Sequence, residues 1–93
     1  MFQISFKKMH DWHLSNEILK TVLEYAIKNG LKNVSKVRLE LGIIHEHGED
    51  ITPENLRHNF KLLSEGTLVE KAKLEIKKIR GDIWKIIDIE GDR

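Results

Sequence analysis

Lys36-Val37-Arg38-Leu39-Glu40-Leu41-Gly42 decides the fold of this chain. Charged and apolar side chains alternate with period two, the pattern of a strand with one face on a core and the other in water. Glycine ends the run. Upstream, Leu14, Ile18, Val22 and Ala26 recur every four residues, flanked by Leu19 and Leu23, while Glu17, Lys20, Glu24 and Lys28 take other faces. This spacing predicts an amphipathic helix over 12–29, closed by Gly30 in left-handed geometry. Downstream, Thr52-Pro53-Glu54 reads as a helix start, with a hydroxyl cap, proline at the first helical position and an acid in the first turn. Leu56, Phe60 and Leu63 form that helix's buried stripe and Gly66 its end.

Further out, Ala72-Lys73-Leu74-Glu75-Ile76-Lys77 alternates again and predicts another strand. Arg80-Gly81-Asp82 reads as a tight hairpin turn, because glycine accepts the positive φ such turns demand. Residues 83–89 then predict a last strand, with Ile83, Ile87 and Ile89 on one face and Trp84 and Ile86 on the other. Apolar residues on both faces suit a central strand, or one covered by a partner. At the opposite end Phe2-Gln3-Ile4-Ser5-Phe6 also alternates, predicting an added first strand within residues 1–8. Asp11 would follow as the cap of the first helix. The resulting order, β-α-β-α-β-β, is a two-layer α+β domain with two helices on one face of a small mixed sheet.

Composition narrows the functional classes. A chain of 93 residues is one small domain, 1–93. Sixteen basic against fifteen acidic residues leave a formal net charge of +1, which gives no electrostatic case for nucleic acid or an anionic membrane. With no cysteine there is no disulfide, thiolate zinc site or cysteine nucleophile, so a metal must rest on histidine, carboxylate or backbone nitrogen. Nothing approaches a bilayer span, and 2–9 lacks the apolar region of a signal peptide, so the expected location is the cytoplasm. No Gly-rich phosphate loop, Ser-His-Asp spacing or zinc-protease motif is present, which argues against an enzyme.

The chemistry concentrates in Met9-His10-Asp11-Trp12-His13-Leu14. His10 and His13 are three apart, and on one helix they would be neighbours, with Glu17 four further on. Imidazole with carboxylate and backbone nitrogen suits a borderline divalent ion such as nickel or zinc. On spacing alone the plainer reading is a polar cap-region His10 and a solvated His13 paired with Glu17. His45 and His47 form a second cluster, placed to point the same way if the loop is extended, and equally explained as a solvated loop. His58, beside Arg57 on the second helix, reads as a surface residue.

Met9 to Leu14 resembles the opening motif, Met-His-Glu-(Trp/Leu)-Ser-Leu, of the hydrogenase nickel-incorporation accessory protein family, HypA/HybF. The likeness continues through the first helix, Val37-Arg38-Leu39-Glu40-Leu41-Gly42, Leu56 to Leu63, and Glu65-Gly66-Thr67-Leu68-Val69-Glu70 followed by Ala72-Lys73-Leu74-Glu75-Ile76. The resemblance implies a nickel metallochaperone that works with a HypB-like GTPase on hydrogenase, or on another nickel enzyme. It implies that His10 is the nickel-ligand histidine, helped by the backbone nitrogens of His10 and Asp11, with Asp11 standing where the family has glutamate. Three departures accompany it. The family's zinc domain, two Cys-x-x-Cys pairs between the last strands, is absent, so no zinc is expected. Eight residues precede Met9, which removes a terminal amine from the vicinity of His10. His13 replaces the usual serine, and His45 and His47 enter a longer loop, where they could stand in for lost ligands. The expectation is a Ni(II)-binding accessory protein, able to form a homodimer, with a metal-free adaptor docking on the GTPase or a hydrogenase subunit as the alternative.

Overall fold

Asn33–Leu41 forms β1, the middle strand of a three-stranded sheet. In the computed structural model, residues 2–42, 45–46 and 49–93 are described, with side chains over 13–42 and 51–93. The elements in order are α1 (Phe2–Lys28), β1, β2 (His45–Glu46), β3 (Glu49–Asp50), α2 (Pro53–Ser64), β4 (Lys73–Lys78) and β5 (Trp84–Asp92). The sheet order is β4-β1-β5, with β4 parallel and β5 antiparallel to β1. The short β2 and β3 pair only with each other.

The alternation in β1 is realised as expected. Val34, Val37, Leu39 and Leu41 are buried, and Lys36, Arg38 and Glu40 are half-buried on the opposite face. Leu14, Ile18, Leu19, Val22 and Ala26 of α1 and Leu56 and Phe60 of α2 complete the core with β1. Each large side chain taken fully from water stabilises the fold by roughly 1.5–3 kcal/mol before entropy is counted. Helix α2 begins as its sequence dictates: the Thr52 hydroxyl accepts from the Asn55 amide at 3.2 Å, and Pro53 follows. Gly30 and Gly66 hold φ of 70° and 79° just beyond the two helices. Ser15, fully buried, donates through Oγ to the Leu56 carbonyl at 3.3 Å and ties α1 to the first turn of α2.

Four expectations change. Residues 2–6 are the first turns of α1 and not a strand, since Phe2, Phe6 and Met9 also recur at helical spacing and no described strand pairs with them. Asp11 consequently lies inside α1 and not at its start. The last strand is an edge, not the centre, because β1 separates it from β4.

That last point recasts Arg80-Gly81-Asp82. Gly81 does take φ 96°, but the turn joins strands lying on either side of β1, about 10 Å apart, and so cannot close a hairpin. The chain instead crosses the end of β1. The Ile79 amide donates to the Leu41 carbonyl at 3.0 Å, and the Gly42 amide donates to the Ile83 carbonyl at 2.7 Å. A Cβ on Gly42 would collide with the carbonyl oxygens of Gly81 and Ile83. Glycine is therefore the residue that lets the crossing pass.

Candidate metal site

Helix α1 turns at Gly30 and packs back along the sheet, so its residues count away from the start of β1. From residue 13 to Lys28 it spans about 22 Å, and β1 covers about 26 Å. His13 and the end of β1 thus lie at similar distances from the turn at Gly30, and Gly42 opens the histidine loop. The Ser15–Leu56 hydrogen bond is the direct link, since Leu56 stands four residues after Thr52 and the β2–β3 ribbon ends at Asp50. The turn of α1 that holds His13 is thus tied to the first turn of α2, a few residues after the β2–β3 ribbon.

His10 and Asp11 are placed as backbone of α1, and their side chains lie outside the described residues. His10, His13 and Glu17 occupy positions i, i+3 and i+7 of one helix, which puts them on one face. His13 and Glu17 are exposed and make no ion pair with each other; the Glu17 carbonyl accepts from Thr21 Oγ1 at 2.9 Å. The plain reading in which Glu17 pairs with His13 is not what the structure holds. His45 is placed as backbone in β2, while His47 lies outside the described residues. His58 is exposed on α2, as expected. Among the described residues, no three His, Asp or Glu side chains stand together as a metal site.

The helix also has a chemical consequence. An amide inside an α-helix donates to the carbonyl four residues earlier. The nitrogens of His10 and Asp11 become metal ligands only if that turn unwinds and each loses its proton. An imidazole needs no unwinding and binds in its neutral form.

On the far face of the sheet, Arg38 joins all three strands. Its Nη1 donates to both Asp88 carboxylate oxygens, at 3.0 and 2.8 Å, and to Glu90 at 2.8 Å, while Nε lies 3.4 Å from Glu75. Lys36–Glu75 and Lys85–Glu40 continue the ladder. The bond to Asp88, followed by its charge, raises the Arg38 pKa above its ordinary value. These acids are engaged by the arginine and lysines of the ladder. Sequence reasoning did not find this ladder, because Arg38 lies some fifty residues from Asp88 and only strand register brings them together.

The family described as "Hydrogenase/urease nickel incorporation, metallochaperone, hypA" matches residues 9–84. The chain belongs to that family. The match opens on Met9, the first residue of the histidine motif. The hydrogenase maturation factor HypA of Pyrococcus furiosus is 33% identical over 90 residues, covering 88% of this chain and 62% of the relative. HypA of Methanopyrus kandleri is 41% identical over 73 residues, covering 78% of this chain and 49% of that protein. The chain thus spans about half to three fifths of the length of these HypA relatives. In fold it is similar to the solution structure of the Ni metallochaperone HypA from Helicobacter pylori, with a TM-score of 0.75 and 13% identity over 88% of this chain and 97% of that one. Among the described residues, no helix is long and apolar enough to cross a membrane.

Proposed function

We propose that this chain is a nickel-binding accessory domain for the maturation of hydrogenase or another nickel enzyme, that it works in the cytoplasm, and that it is not an enzyme. Nickel is its cargo. One observation supports this most: the family match opens on Met9, at the head of the histidine stretch. With no cysteine the donors are imidazole, backbone nitrogen and carboxylate, a set that suits Ni(II) and leaves no thiolate zinc site. His10 and His13 capture the ion from successive turns of α1. The nitrogens of His10 and Asp11 join where the helix unwinds, and His45 and His47 supply the remaining positions from the loop. Release to a partner then proceeds by ligand exchange.

The partners under this reading are a HypB-like GTPase and a nickel-enzyme subunit such as that of hydrogenase. The open edge of β5, with Ile87 exposed on it and Ile83 exposed just before it, is where such a partner or a second copy of this chain would add. The same edge supports the alternative of a metal-free adaptor, which gains if the chain retains a GTPase partner in pull-down while binding no Ni(II).

Calorimetry with Ni(II) tests the main reading. At pH 7.5, His10→Ala should weaken binding by roughly tenfold or more, as loss of one good ligand does, and wild-type affinity should rise with pH as the imidazoles shed protons. Equal affinity of wild type and His10→Ala would remove His10 from the site.

A further inference from the structure

We propose that the groove between α2 and the start of β4 is a docking site for an acidic segment of a partner polypeptide. The groove, about 440 Å³, is rimmed by Arg57 and Lys61 from α2 and by Lys71 and Lys73 from the β4 side. Phe60 and Leu74, both nearly inaccessible, and half-buried Ala72 lie beneath, and Glu70 is the one acid on its rim. Four cations against one acid make a steep local excess in a chain whose formal net charge is only +1.

The contrast with the far sheet face gives the excess its meaning. There Arg38, Lys36 and Lys85 are each neutralised by carboxylates within 4 Å. In the groove, Lys61, Lys71 and Lys73 make no ion pair, and the Arg57 side chain is engaged only with a neutral carbonyl, donating through Nε to Leu74 at 3.2 Å. That bond holds Arg57 across the junction of helix and strand, with the rest of its guanidinium still free to donate. Unpaired like charges held on one rim repel each other, and a carboxylate-bearing ligand relieves the repulsion.

Chemistry also separates a peptide from a nucleic acid. Single-stranded nucleic acid needs exposed aromatic faces for its bases, and the groove's one aromatic, Phe60, is 2% exposed. A short extended peptide needs only carboxylates for the rim and small apolar side chains for the floor. The volume accommodates a few residues of this kind. The site lies on the α2–β4 side and uses none of the histidines, so it stands or falls separately from the nickel reading.

Fluorescence anisotropy with a labelled hexaglutamate peptide tests it. The intact chain should bind the peptide, and binding should weaken steeply between about 50 and 500 mM salt. Lys61→Glu/Lys71→Glu should lower affinity by roughly tenfold or more, while Lys20→Glu/Lys28→Glu, the same charge change on exposed α1, should alter it less than about twofold. All four lysines are exposed, so each variant should keep the wild-type circular dichroism spectrum. Equal weakening by the two double variants would reduce the effect to net charge and overturn the proposal. So would absence of saturable binding at low salt, or an oligothymidylate of equal charge binding the groove more tightly than the peptide.

Discussion

Gly42 is required by its surroundings and not by its own φ. Both atoms that a new Cβ would meet first are backbone carbonyl oxygens, at Gly81 and Ile83, and neither belongs to a flexible side chain that could move aside. Gly42→Ala should therefore displace the crossing or the end of β1 and cost about 1–3 kcal/mol, as overpacking at a tight contact does. Urea unfolding checks this, and a change below about 0.3 kcal/mol would mean that the crossing gives way freely. The alternation before Gly42 was plain in the sequence, yet nothing local to 36–42 says that residues 79–83 pass over it. Arg38 illustrates the same limit. Its raised pKa contributes stability that is present below the unfolded value and lost only as pH climbs through the folded one. That window is strongly alkaline, so the ladder's arginine adds no pH dependence near neutrality.

Elements governed by local chemistry were the legible ones. Helix α2 announces both ends within its own sequence, and the structure places the cap, the proline and the terminal glycine where they were expected. Thr52→Ala removes the hydroxyl that accepts from the Asn55 amide and should lower stability by about 1 kcal/mol. For a chain of this size that corresponds to a Tm drop of about 4–8 °C, readable by thermal circular dichroism. An unchanged Tm would mean that water replaces the cap without loss. Elements defined by partners read less well. Residues 2–6 fit a strand period and a helical one equally, and among the described residues they continue α1 and pair with no strand. In β5, apolar residues on both faces suggested a centre, whereas β1, its charges alternating, took that place. An extra residue near Ile87 shifts the register there and leaves that side chain outside the packed faces, which accounts for the mixed pattern.

At the scale of the whole molecule, the decisive relation joins α1 to a loop some thirty residues later. The link is visible only once Ser15 of α1 is seen to reach Leu56, in the first turn of the helix that follows that loop. This gives the nickel reading a thermodynamic consequence. A metal held by His10 and His13 alone meets ligands that the unfolded chain also offers, because they are three residues apart, so binding stabilises both states. A metal held jointly with His45 and His47 needs the fold to bring its ligands together, and it stabilises only the native state. At free Ni(II) one hundred times Kd, that linkage is worth about 2.7 kcal/mol. The expected result is a Tm rise of roughly 10 °C or more for the wild-type chain. His45→Ala/His47→Ala should lose most of the rise while retaining weaker Ni(II) binding at α1. Tight binding with no rise in Tm would instead confine the ligands to the histidine stretch itself. Loss of helical ellipticity on adding nickel would then assign the remaining ligands to the unwound amides of His10 and Asp11.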